Sequence, residues 1–459
     1  MGKGGNAQTA PASAKKNNRV IKFDELAKHR VMDDAWLGYK GKVYDVTNWT
    51  DHPGGTVIFT HAGDDCTDIF AAFHPASAVK DMQRFEIGVL DDQGRKSKDQ
   101  LEFENAYREL RAKLIAAGLF NASPMYFLFK VASTVAIMVV AVLCAITTDS
   151  FAVNMFGALL MALFWQQCGW LAHDFLHHQV FKNRAYGDMM GIIIGDLFQG
   201  FSVQWWKSKH NSHHAVPNLH ASTPDAADGD PDIDTMPILA WTLRMAETAK
   251  NDPWGRFLIR YQAIFYFPAL LFARLAWAHQ SWVFVFGGAG AHSVKNAAID
   301  RATIRYPTLE KAALILHYLF LAWVFSHMSV FSAVCYFVLA QTSCGIMLAT
   351  VFGLGHNGMA VYPADERPDF WKLQVSTTRN VTSTPFVDWF CGGLQYQVDH
   401  HLFPSLPRHN LGKVNKLVQL FCKENNVTYH EASMWDGTIE VLTHLDKVSE
   451  EFIREFPAM

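Results

Sequence analysis

Eight of the chain's 21 histidines fall into three tight groups. His173, His177 and His178 lie in HDFLHH, His210, His213 and His214 in HNSHH, and His400 and His401 in QYQVDHH. On a helix, positions i, i+3 and i+4 share a face. His210, His213 and His214 therefore project together, and so do Gln397, His400 and His401. His173 and His177 are four apart, and His178 lies about 100° further round. Imidazole suits iron, and eight or more nitrogens suit two metal ions better than one. A structural zinc site needs four ligands, usually with cysteine among them. The seven cysteines (66, 144, 168, 335, 344, 391 and 422) are scattered and form no CxxC pair. Histidines that are merely interfacial and hydrogen-bonded would not cluster in this way. The pattern points to redox chemistry at a polynuclear iron site.

Something must carry three distant groups to one place. Apolar residues make up 50% of the chain and charged residues 18%, against about 25% charged in soluble domains. Four runs are long enough, at roughly 20 apolar residues, to cross a bilayer: residues 125–148, 151–172, 311–328 and 330–355. Two weaker stretches, 187–201 and 263–286, are short or carry Pro, Asp or Arg, and read as interfacial or re-entrant. The first motif ends span two, the second follows it, and the third follows span four. Two spans separate the second from the third, so all three motifs lie on one membrane face. The N-terminal region lies on that face too.

Residues 20–92 look soluble. They contain a strand-like run at Lys42 to Val46, a His-Pro-Gly-Gly turn with His52, and a second histidine, His74, in Phe-His-Pro. A haem iron takes axial nitrogens from both sides of an apolar slot. Val57, Ile58, Phe59, Ile69, Phe70 and Phe73 could line one. The pattern WxxxxGKVYDVTNW…DHPGG…FHP closely resembles cytochrome b5. That resemblance implies haem b held by His52 and His74, and one-electron transfer.

The three histidine motifs, joined to such a domain, resemble the membrane fatty-acid desaturases over nearly the whole chain. Gln397, where HNSHH has His210, matches the front-end group, which inserts a double bond between an existing one and the carboxyl end. The stretches WLAHDFLHHQVF, GDPDIDTMP, FGLGHNGM and DWFCGGLQYQVDHHLFPSLPRHN look most like the Δ6 acyl desaturases of algae and oomycetes. Relatives acting at Δ5, Δ8 or Δ4 share the motifs. The resemblance implies two non-haem irons held by His173, His177, His178, His210, His213, His214, His400 and His401. It also implies O₂ as co-substrate, and electrons from NADH through a separate NADH–cytochrome b5 reductase. A fatty-acyl lipid or acyl-CoA would enter along an apolar tunnel. His356, at the end of span four, is the candidate for an additional ligand; capping and core packing are its other readings. Asn357 could contact an iron-bound water. Gln397 has two roles open: iron ligation through Oε1, or holding a water or a neighbouring imidazole.

Other polar residues weigh less. Asn218 and the run Asp228, Asp230, Asp232 and Asp234 could orient imidazoles or line a solvated loop. Trp205 and Trp206 read as interfacial anchors. The net charge of -3 excludes a nucleic-acid footprint. Residues 1–19 are polar and form no secretory signal, and Lys3, Lys15, Lys16 and Arg19 read as a solvated tail. MGKGGN lacks the Ser or Thr of a myristoylation motif. The sequons at Asn48, Asn121, Asn380 and Asn426 read as chance matches.

The expected architecture is multidomain. A small α+β haem domain (20–92) precedes a linker and pre-membrane helix (93–124). An all-α membrane desaturase domain (125–430) and a cytosolic tail (431–459) follow. The expected setting is the endoplasmic reticulum membrane, among membrane lipids, with haem domain and motifs facing the cytosol. Competing readings keep the site but change the chemistry (a sphingoid-base desaturase or lipid hydroxylase), or make the chain a membrane-tethered cytochrome b5 with inert motifs.

Overall fold

A computed structural model describes residues 19–92, 95–223, 226–287 and 294–457, with side chains from 298 onward in the last segment. Lys3, Lys15 and Lys16, and positions 93 and 94 of the linker, lie outside the described residues. The chain divides into two compact units. The smaller comprises Met1–Thr50 and His61–Leu101, the larger Asp51–Thr60 and Glu102–Met459. By this division the segment with His52, Asp51–Thr60, falls in the larger unit.

The smaller unit is built on one six-stranded sheet. Its strands are β1 (Val20–Lys22), β2 (Arg30–Val31), β3 (Asp34–Tyr39), β4 (Lys42–Asp45), β5 (Asp64–Asp65) and β6 (Glu86–Asp91). The order is β1-β6-β4-β3-β2, with β5 beside β3. β3 and β4 pair antiparallel from Trp36↔Asp45 to Tyr39↔Lys42. The turn between them places Lys40 and Gly41 at positive φ, which glycine tolerates best. Ile21, Leu26, Trp36, Val43 and Leu90 form the core on the sheet. The helix Thr67–Phe73 ends at His74, which turns to extended backbone.

The larger unit is helical. Helix α1 (Lys98–Ala116) leads into α2 (Pro124–Ile146) and α3 (Phe151–Leu176). Then come α4 (Arg184–Gly191), a π-helix (Ile192–Gln199) and α5 (Val203–Ala215), which carries the second motif. A bent pair, α6 (Gln262–Leu270) and α7 (Ala273–Phe286), precedes α8 (Pro307–Phe325) and α9 (Val330–His356). Four helices, α2, α3, α8 and α9, are long and apolar enough to cross a membrane. α6 and α7 meet at 63° and would make a fifth span if counted as one. The second and third motifs share one centre, as described below. The crossings between them must therefore be even, so the bent pair enters and leaves on one face.

α3 and α9 are central, about half buried, whereas α2 is 17% buried and faces lipid. α2 meets α3 closely at Gly157, where an added Cβ would lie 2.9 Å from Cys144 Cβ; small residues permit such approach between membrane helices. The π-helix ends at Gly200 with φ +82, and a Cβ there would lie 2.6 Å from the His317 ring. Two of its carbonyls are satisfied from neighbouring helices, as a lipid-embedded helix end requires. His317 Nδ1 donates to Leu197 O at 3.0 Å, and Arg274 Nη2 to Gln199 O at 2.7 Å. The buried Arg274 guanidinium also lies 4.0 Å from the Trp165 ring centroid.

The start of α5 is anchored by acids from two other elements. Val203 N donates to Asp196 of the π-helix, and Gln204 N to Glu310 of α8. Trp205 N donates to Ser202 Oγ, which itself donates to Glu310 at 2.6 Å. Carboxylates stabilise the positive end of a helix, so these residues fix the pitch of α5.

The C-terminal region is folded and packed. Glu431–Ala432 pairs in parallel with Asn380–Val381. Helix α12 (Met434–Glu455) buries Val441, Leu445, Val448 and Phe452 against Ile259 and Tyr266. Those four positions recur at helical spacing along one face, which is why the segment packs. All seven cysteines are free.

Candidate metal centre

Four segments deliver the histidines. α3 continues four residues past the expected end of its span, which places His173 on its last turn. His177 caps that helix, and His210, His213 and His214 ride on α5. His356 is the last residue of α9. Gln397, His400 and His401 lie on α10 (Gln397–Leu402). The eight imidazoles from these segments are each no more than 7% exposed.

They sort into two groups. His173, His177, His210, His214 and His400 form one, and His213, His356 and His401 the other; within each, the donor nitrogens lie within 4.8 Å of one another. Nε2 atoms face Nε2 atoms: His177 and His210 at 2.8 Å, His210 and His214 at 3.0 Å, His214 and His400 at 3.1 Å, His213 and His356 at 3.2 Å. Two nitrogens bound at right angles to one metal, each about 2.1 Å from it, are about 3 Å apart. The spacing is that of a coordination shell.

The outer nitrogens of the second group are all held. His356 Nδ1 donates to Thr377 O at 3.1 Å, and His401 Nδ1 to Gln374 Oε1 at 2.9 Å. His213 Nδ1 donates to Asp230 at 2.9 Å. Each bond puts the proton on Nδ1 and leaves the inward Nε2 with its lone pair, the tautomer a metal requires. Nε2 of the buried His173 and His401 has no hydrogen-bond partner among the described residues.

Burial holds His210, His214 and His401 well below the ordinary histidine pKa, with neighbouring imidazoles adding to the effect. His400 is pushed down to about 3 by burial and by His213. These rings are neutral at physiological pH, which is the form that binds metal. His213 runs the other way. Burial opposes its charge, but the Asp230 carboxylate outweighs this and raises its pKa.

Gln397 reaches the second group, its amide 2.7 Å from His356 Nε2. The approach requires Gly355, where a Cβ would sit 2.9 Å from Gln397 Cγ. Asp230, 4% exposed, accepts from His213 Nδ1, and the exposed Asp232 lies 3.8 Å from the same nitrogen. Asp230 also accepts from Asn218 N at 2.8 Å, while Asn218 Nδ2 donates to His356 O. Asp232 and Asp234 are exposed, and Asp228 accepts from Ser222 N. Trp205 is buried, and Trp206 stacks on His210 at 4.2 Å, so neither serves as the interfacial anchor expected of them. Asn357 donates to Tyr266 OH instead of facing the histidines.

His178 belongs to neither group. α3 ends at Leu176, and His178 takes φ 56 in the left-handed region. Its ring turns toward Gly187, within 3.0 Å of the Cβ position there. Two residues past the end of a helix, the 100° rule no longer applies.

Several positioning residues carried no signal in the sequence. Asn380 Nδ2 donates to Asp399 at 2.9 Å, and its Oδ1 accepts from Val398 N at 2.8 Å, which brackets α10. Gln374 bridges His401 to the carbonyl of His214. Asp174, between two histidines of the first motif, forms a buried ion pair with Arg408 at 3.0 Å. Arg408 opens α11 (Arg408–Glu424), and that ion pair ties the first motif to the segment after the third. Tyr107 of α1 donates to Leu402 O at 3.0 Å.

The candidate haem histidines are shaped separately. His74 Nδ1 donates to Phe70 O at 3.2 Å and its ring stacks on Phe70 at 4.4 Å, which leaves the lone pair on Nε2. His52 Nδ1 accepts from Gly54 N at 3.2 Å.

A membrane helix bundle that gathers eight inward imidazoles, in a chain with a small α+β domain, defines a histidine-rich di-iron oxidoreductase. The fatty acid desaturase profile matches residues 150–433, and the cytochrome b5-like haem/steroid binding profile matches residues 22–91. An acyl-lipid (9-3)-desaturase of Physcomitrium patens is 37% identical over 93% of this chain and 78% of its own. The Delta(6)-fatty-acid desaturase fat-3 of Caenorhabditis elegans is 35% identical over 87% and 92%. A Delta(8)-fatty-acid desaturase of Euglena gracilis is 32% identical over 88% and 93%. Among solved structures, the cytochrome b5 of Ostreococcus tauri virus 2 matches 17% of this chain and 96% of its own, at 31% identity and a TM-score of 0.15. The chain belongs to the fatty acid desaturase family, as a front-end type with a fused cytochrome b5 domain. Its cofactors are haem and two non-haem irons.

Proposed function

We propose that this desaturase acts at Δ6 on linoleoyl- and α-linolenoyl-type chains. His173, His177, His210, His214 and His400 hold one iron, and His213, His356 and His401 the other, with Gln397 beside it. His52 and His74 hold the haem. Iron bound there would supply the chemistry that activates O₂ and removes two hydrogens from the acyl chain. The observation that carries the metal assignment is the second group's fixed tautomers: three imidazoles with their protons turned outward and their lone pairs inward. Asp230, Thr377 and Gln374 keep those rings oriented, and burial keeps water from them. Electrons come from NADH through a cytochrome b5 reductase. The setting is the endoplasmic reticulum membrane, with the centre on the cytosolic side. The Δ6 position rests on likeness to a relative named for Delta(6), and other relatives are named for Delta(8) and Delta(5).

Expression in a host fed defined ω3 and ω6 fatty acids, followed by double-bond location by mass spectrometry, tests the position. A new bond at C6 supports it, a bond elsewhere corrects it, and an oxygenated product rejects desaturation. Gln397→Ala is expected to cut product formation by at least about tenfold while haem absorbance stays unchanged. Near-normal turnover would remove Gln397 from the mechanism.

A further inference from the structure

We infer that an open cavity beside the metal centre seats the phosphate of the acyl carrier; this rests on the desaturase reading above. The cavity has a volume of about 550 Å³, within the range of ligand sites. Its walls begin at Gly358 and Met359, directly beyond His356 and Asn357, and continue through Ser376, whose neighbour Thr377 holds His356. α12 supplies the opposite wall. Membrane depth fits a head group. α9 has 27 residues and is therefore about 40 Å long, more than the roughly 30 Å of hydrocarbon in a bilayer. A cavity that opens two residues past its end lies at the level of phosphate groups.

The lining fits an anion. Lys447 faces the cavity, is exposed, and makes no ion pair among the described residues. Arg379 also borders the cavity, but its buried guanidinium is held by Glu440 and by the carbonyls of Leu354 and Asn357. The acid present, Glu440, is engaged from two sides at 2.8 Å, by Arg379 Nε and His430 Nε2. Thr428 and Thr443 present hydroxyls that make no hydrogen bond to other described residues. A free cation beside free hydroxyls recognises a phosphate ester. Two carriers share that chemistry, the head group of a phospholipid and the phosphorylated thiol carrier coenzyme A.

The test uses the full chain in lipid nanodiscs, with the same acyl chain offered as its coenzyme A thioester or esterified in phosphatidylcholine. Lys447→Glu and Lys447→Met are expected to raise KM for the true carrier by about tenfold, the loss appearing in KM and not in kcat. Lys447→Arg should restore it. A rise in the thioester arm identifies coenzyme A, and a rise in the phospholipid arm identifies the lipid. Unchanged KM in both arms for both variants overturns the proposal. A wild type that desaturates neither carrier overturns the desaturase reading and this proposal with it.

Discussion

His356→Ala is expected to abolish desaturation and to lower iron from two ions to about one per haem, with the haem absorbance band unchanged. His356 lies outside the three motifs, yet it is one of three imidazoles in the second group. Removing it leaves His213 and His401, and it takes from Gln397 the ring its amide reaches. An iron with two imidazoles lacks the donors to compete with water, so the loss should be of the ion itself and not of rate alone. The first group shares none of its ligands with the second, which is why one ion should remain. Metal analysis against haem content checks this. Two irons per haem and wild-type product would reject the assignment of His356.

Asn380→Ala is expected to lower kcat by ten- to a hundredfold, as losses behind metal ligands do, and to lower the melting temperature. The side chain is 1% exposed and makes two bonds to α10. Without it, Val398 N loses its acceptor, and Asp399, fully buried, loses one of the donors that support it beside Asn415. Each buried polar group left unpaired costs about 1–3 kcal/mol. Burial already lifts the Asp399 carboxyl to about 6, with Asn380, Asn415 and Tyr429 acting against that. Asn380→Asp offers a control, since it keeps the acceptor for Val398 and replaces the donor with a like charge. Turnover within twofold of wild type for the alanine variant would show that α10 holds itself. The same burial leaves the sequon at Asn380 without an accessible acceptor in the folded chain.

What the sequence made legible follows from how local each feature is. Spacing within HNSHH and QYQVDHH is set by one turn of helix, so each motif's rings could be aimed at one centre before any fold was known; their division could not, since His213 parts from His210 and His214, and His401 from His400. The four spans were visible because bilayer crossing imposes length and composition on a single run. His178 was misplaced because nothing in HDFLHH reveals that α3 stops at Leu176. Asn380, Gln374 and the Asp174–Arg408 pair were invisible for another reason. They sit in irregular segments or between ligands, and their partners are far away in the chain. The C-terminal helix is different again: Val441, Leu445, Val448 and Phe452 carry a readable period, and a short polar-looking segment concealed it.

One feature of the centre bears on how the protein matures. Its inward nitrogens face one another with lone pairs directed at common points, and in the second group the outer bonds prevent the rings from turning away. Such a cavity is poorly stable until cations enter it. The ligands come from α3, α5, α9 and α10, so the ions also act as cross-links between segments distant in sequence. The full shell exists only when all four segments are in place, so the ions would bind the assembled centre and not any one segment. A chain short of iron would lack those cross-links, and the loops around the centre would then be the part most open to proteolysis.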